Sequence, residues 1–160
     1  GITWSTARVE AEKLILARPN TRLFGKWDSS SFTGSFNDQP AFLVLDFRDG
    51  KFVAGNVWLP ATEDDILPLF EKLKAQLTDK YGKADQEAGK YLDSAAKWNF
   101  PAAGPNDYIV MKIMKSAPFV ADQTLPSALR KPFSVTLAYV KGDVQAQQVQ
   151  QQKQSGGKDL

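Results

Sequence analysis

The side chains with the means to do chemistry in this chain are carboxylates. Asp46, Asp49, Asp64, Asp65, Asp93 and Asp107 punctuate it, and Glu63, Asp64 and Asp65 stand side by side within "GNVWLPATEDDILPLF", residues 55–70. Two carboxylates are enough for general acid/base hydrolysis of a glycoside-like bond. The chain has no histidine and no cysteine. That removes thiol nucleophiles, Ser-His triads, Cys/His zinc sites and disulfides. No nucleophile-elbow, phosphate-cradling, dinucleotide-binding or EF-hand spacing accompanies the acids. A carboxylate-based hydrolase is therefore the weakest functional reading. No catalytic residue, metal site or cofactor is expected, and the aspartates read more simply as turn and cap residues.

The acid cluster has a structural explanation in the elements around it. Before Pro60 the stretch reads as the end of a strand, and after it as the start of an amphipathic helix. Ile66, Phe70, Leu73, Leu77 and Tyr81 recur at spacings of four, three, four and four, which lays one apolar stripe along a helix expected over 65–81. Gly82 ends it. Pro68 is comfortable only near a helix start, so Asp65 is preferred over Thr62 as N-cap. Carboxylates there meet free N–H groups and the positive end of the helix dipole. A first helix is expected over 6–17, capped by Ser5, with Trp4 stapled onto Val9 and Pro19 forbidding continuation.

Between the helices, "TRLFGKWDSSSF", "AFLVLDF" and "KFVAGNVWL" read as a three-strand meander joined by "NDQP" and "RDG". Arg48-Asp49-Gly50 suits a tight hairpin because Gly supplies a positive φ. "KYLDSAAKWNF", "DYIVMKIMK" and "KPFSVTLAYV" repeat the outline after the second helix, and Lys26-Trp27 and Lys97-Trp98 fall at comparable places. The expectation is an α+β fold of two αβββ units, about 1–60 and 61–141. Their strands would form one mainly antiparallel sheet with both helices on one face. "GNVWLPATEDD" is then the hinge between the units. "APFVADQTLPSALRKP" is a long, proline-punctuated connection and a candidate recognition loop. Residues 142–160 read as a low-complexity tail, with seven glutamines in the ten residues 145–154.

At 160 residues and 42% hydrophobic, the chain has enough apolar residues for one buried core. A net charge of +2 falls short of the clustered basic charge nucleic acid demands, so no nucleic-acid partner is expected. No apolar run approaches the roughly 20 residues of a membrane-spanning helix.

Strand parity then separates two faces. Leu43, Leu45, Phe47, Val53, Val57, Leu59, Ile109, Met111, Ile113, Phe133, Val135 and Leu137 are expected under the helices. Phe42, Val44, Asp46, Phe52, Asn56, Trp58, Tyr108, Lys112 and Met114 are expected opposite. Aromatics, methionine and few charges make that second surface resemble an interface. Phe42, Phe52, Trp58, Tyr108, Lys112 and Met114 are the candidate binding residues, with Trp58 and Tyr108 as anchors. The functional expectation is a non-enzymatic binding module of unknown partner, another protein or a small ligand, that uses this face unless the tail, the long loop or a second chain covers it. The alternative is a small-ligand carrier in which the aromatic face closes into a pocket, favoured if one of a few hundred Å3 is present.

The opening "GITWSTARVEAEKL" and the later "FEKLKAQLTDKYGK" resemble segments of exported bacterial proteins in which a "GI-W-S" start and an "L..KYGK" helix end bracket a β meander. The tandem layout over about 1–141 is similar to that of beta-lactamase-inhibitor-protein-like domains. The resemblance implies a curved sheet presenting a concave, aromatic-rich face to another protein. Together with a chain that begins at Gly1, as a processed one would, it implies a periplasmic or secreted setting.

Overall fold

A computed structural model describes residues 2–26, 28–100, 106–115 and 120–142. Eight strands form one antiparallel sheet. They are β1 (Arg22–Lys26), β2 (Ser29–Phe36), β3 (Gln39–Arg48), β4 (Lys51–Ala61), β5 (Gln86–Ala88), β6 (Ala95–Asn99), β7 (Tyr108–Lys115) and β8 (Phe133–Val140). Their spatial order is β1-β2-β3-β4-β8-β7-β6-β5. Helix α1 (Arg8–Leu16) precedes β1, and α2 (Glu63–Tyr81) joins β4 to β5. The fold is thus α+β with an antiparallel sheet. Each helix is followed by four strands rather than the expected three, because "TRLFGKWDSSSF" splits into β1 and β2 and a short β5 precedes β6. Trp27 of the first Lys-Trp pair and the tail from 143 onward lie outside the described residues.

Turn chemistry sets the register. Asp49 and Gly50 both have positive φ, 51° and 73°, the requirement of the two-residue hairpin whose twist matches its strands. Arg48 and Lys51 close it. Asn37 and Asp38, at φ 48° and 61°, do the same between β2 and β3. With register pinned, parity places Phe32, Leu43, Val57, Leu137, Met111 and Ala96 in one continuous row across six strands. All six are at most 7% exposed. Ala11 and Ile15 of α1 join the same buried cluster as Ile66, Phe70, Leu73 and Leu77 of α2. Both helices therefore cover one face.

Helix α2 begins two residues before the expected start, with Thr62 as N-cap. Its hydroxyl donates to Asp65 Oδ2 at 3.0 Å instead of capping a backbone N–H. Pro68 sits inside the helix, where its missing N–H frees only the carbonyl of Asp64 in the first turn. In α1 the N-cap is Ala7 without a side-chain cap, and Ser5 turns away at φ 70°. Trp4 does not staple to Val9, which is 76% exposed, but stacks on Phe52, with ring centroids 5.3 Å apart.

That stacking follows from a bulge. Asp46 opposes Ala54 and Phe47 opposes Phe52, so Val53 is the extra residue in β4. An extra residue inverts parity beyond it. Phe52 moves beneath the helices, 7% exposed, and Val53 leaves the core, which reverses the expected faces of both. The N-terminal arm stabilises this turn of the chain: Ser5 N–H donates to Phe52 O at 3.2 Å and Phe52 N–H to Thr6 O at 2.8 Å. No helix among the described residues is long and apolar enough to cross a membrane.

Candidate functional site

The face away from the helices carries the expected binding residues other than Phe52. Register brings Phe42, Trp58 and Lys112 into one row, with Thr136 between the last two. Met114 falls in the next row, opposite Ser134. Tyr108 lies two rows the other way, opposite Val140, and the Lys97 ammonium sits 4.3 Å from its ring centroid. Trp58, Phe42, Met114 and Tyr108 are half-buried and Lys112 is exposed. Asp46 shares this face and accepts a 3.2 Å hydrogen bond from Asn56 Nδ2. Burial pushes its carboxyl above the usual aspartate range.

Part of this face is covered. Leu125 and Leu129 are 4% and 2% exposed yet stand apart from the core beneath the helices. The 3-10 turn Ser127–Leu129 that carries Leu129 lies alongside β3 and β4. Ser134 and Thr136, whose parity points them to the same face, are buried as well. The described part of the connection between β7 and β8, residues 120–132, thus roofs the end of the face near Pro40 and Pro60.

A hollow of about 400 Å3 opens on the other side of the sheet. Its floor is Leu43, Leu45, Gly55 and Val57; its walls are Ile2, Thr3 and Trp4 of the arm, Ile15 of α1, Phe36, Phe52 and Tyr139; Arg18 and Asn56 complete the lining. The cause is local. In the row Leu45–Gly55–Tyr139, the middle residue has no side chain, and a Cβ there would lie 3.2 Å from the Phe52 ring. A glycine inside a strand marks such a close approach. Helix α1 has nine residues, and α2 lies over β4, β7 and β8. The space between them is left to the arm, held by Trp4 Nε1 donating to Asp107 Oδ2 at 3.1 Å. Asp107 is 4% exposed, and its other oxygen accepts Gly142 N–H at 3.1 Å.

Two smaller hollows adjoin the first, of about 240 and 270 Å3, and all three share Tyr139. Burial, with a smaller contribution from neighbouring Tyr81, pushes the Tyr139 hydroxyl up to about 12, so it stays a neutral donor at physiological pH. Arg18 is exposed and thus stands at the mouth. Its guanidinium donates to Ser35 O at 3.2 Å. The chemistry available is that of an apolar chamber with a cation at its rim and a phenol in its wall.

Other acids serve local structure. Asp93 accepts from Lys90 and Tyr91 N–H at 3.2 and 3.3 Å, and these bonds hold its carboxyl below the usual range. Glu63, Asp64 and Asp65 occupy the first turn of α2. Among the described residues no three His, Cys, Asp or Glu side chains converge to hold a metal ion. The residues that line the hollow were not among those the sequence singled out for binding, apart from Phe52. The available signal was Gly55, an isolated glycine within the strand run "KFVAGNVWL". Comparison of the chain with known protein families, with curated proteins and with solved structures returns no match.

Proposed function

We propose that this chain is a non-enzymatic binding module that carries a small, largely apolar ligand in the hollow between α1, the N-terminal arm and the central strands. The observation that supports this most directly is the hollow itself. Protein interiors are packed like organic crystals, whereas an apolar-lined space of about 400 Å3 falls in the size range of ligand sites. The carrier reading of the sequence had the aromatic face closing into a pocket; here the chamber is on the helix-covered face instead. A periplasmic or secreted setting goes with this reading on the strength of the sequence resemblance.

N-Phenyl-1-naphthylamine, a neutral fluorophore that brightens in apolar surroundings, tests it. Saturable uptake by the full chain is expected. Ile15→Trp, which projects a larger ring into the chamber, should weaken that uptake about tenfold or more by displacing the probe's contacts. Absence of saturable uptake, or uptake indifferent to Ile15→Trp in a folded variant, defeats the proposal.

A second reading keeps the sheet face as a protein-docking surface. It is favoured by the half-buried Tyr108, whose ring centroid lies 4.3 Å from the Lys97 ammonium. Trp58→Ser separates the two, since Trp58 lines none of the three hollows: fluorophore uptake survives it if the hollow is the site, and fails if the sheet face is.

A further inference from the structure

We infer that the ligand of the hollow is an amphipathic anion, an apolar chain or ring system ending in a carboxylate-like group, with Arg18 as its anchor. This rests on the proposed binding in the hollow and goes further by assigning the polar end. An apolar chamber selects for size; what selects for chemistry is the few polar groups that converge on it.

The charged residues bordering the three hollows are two cations, Arg18 and Lys80, and one acid, Asp107. Arg18 borders the main hollow and Lys80 the adjoining one beside Asn37 and Gln76. The acid bordering these hollows is Asp107, and both of its oxygens already accept hydrogen bonds, from Trp4 Nε1 and Gly142 N–H. It is therefore committed to holding the arm. Arg18 is not committed in the same way. Its guanidinium donates to a neutral backbone carbonyl, that of Ser35, and no carboxylate among the described residues forms an ion pair with it. A guanidinium has five N–H donors in a planar fork that matches a carboxylate. Lying just past the C-terminus of α1, Arg18 also complements the helix dipole. That role requires the charge but not a position on the rim of an apolar chamber.

The wall supplies a second donor. Tyr139 borders all three hollows, and no described residue is recorded as a hydrogen-bond partner of its hydroxyl. A half-buried phenol without a partner is satisfied by a ligand oxygen at little cost in reorganisation. The volume suits an apolar body of roughly ten to fifteen heavy atoms. An anionic group on the apolar floor of Leu43, Leu45 and Val57 would be an unpaired buried charge, which is costly, so the charged end of the ligand stays at the rim beside Arg18.

Decanoate, 1-decanol and decylammonium share one chain and differ in the head group. Displacement of N-phenyl-1-naphthylamine from the full chain ranks them. Decanoate should compete at concentrations about tenfold lower than decanol, the gain of a charge-assisted hydrogen bond at a rim. Decylammonium should be the weakest. Arg18→Gln should bring decanoate and decanol to within about twofold of each other, and Arg18→Lys should restore part of the preference, since a point charge lacks the fork. Equal competition by decanoate and decanol in the native chain, a preference for decylammonium, or a decanoate preference that survives Arg18→Gln would overturn the inference while leaving the hollow as a ligand site. Failure of the fluorophore and all three competitors to bind overturns both.

Discussion

Replacing Glu12 by glutamine should destabilise the protein at neutral pH, and the difference should shrink steadily as pH falls from about 4.5 toward 2. Glu12 lies on α1 where the helix meets the edge of the sheet, with its side chain 13% exposed. Its carboxylate accepts Ser30 Oγ at 2.6 Å, Lys26 Nζ at 2.9 Å and Arg8 Nε at 3.0 Å. Burial alone would raise the pKa of Glu12, but the hydrogen bonds from Ser30, Lys26 and Arg8 and the charge of Lys26 together outweigh it. They lower it from 4.5 to about 2. Because the folded value lies below the unfolded one, the stabilisation is fully present above about pH 4.5 and disappears as pH falls through about 2. A shift of that size corresponds to at most about 3 kcal/mol. The Lys26 side chain is 49% exposed, so screening reduces this to about 1–2 kcal/mol. Urea unfolding of the native chain and of Glu12→Gln, followed by tryptophan fluorescence from pH 7 to pH 2, measures the difference. Other acids titrate in both proteins and cancel. A difference that stays constant across this range, or is absent at pH 7, would refute the argument that these bonds hold α1 to β2.

Phe70 is 3% exposed in the middle of the α2 stripe, so Phe70→Ala should cost about 3–5 kcal/mol in denaturant unfolding; an unchanged midpoint would mean that the stripe does not pack on the sheet. Gly50→Ala isolates backbone strain, because a Cβ there meets nothing within 4 Å while φ is +73°. It should cost about 1–2 kcal/mol, and a neutral result would argue against the left-handed hairpin turn.

The α2 stripe and the Asp49-Gly50 hairpin were legible because each depends on neighbours a few residues away. Ile66 and Phe70 are brought to one side by the pitch of a helix wherever that helix goes. The hairpin likewise follows from two residues that tolerate positive φ. Phe52 was misplaced for the opposite reason. Nothing in its run marks the bulge at Val53, and the arm that bonds to the Phe52 backbone through Ser5 and Thr6 is more than forty positions away. The candidate site was hidden in the same way. Trp4, Arg18, Gly55 and Tyr139 belong to four separate stretches, and none has a spacing that relates it to the others.

Composition, periodicity and turn chemistry therefore determined an α+β chain without thiol or imidazole chemistry, its two principal helices and the alternation of its strands, since these are properties of the local backbone and of residue type. Tertiary structure alone decided which strands meet at the centre, which residues a single bulge turns over, and that a missing side chain at Gly55 faces a gap between two helices. Such outcomes depend on contacts among segments far apart in sequence. A cavity is an absence of packing, and it exists only once every surrounding element is in place.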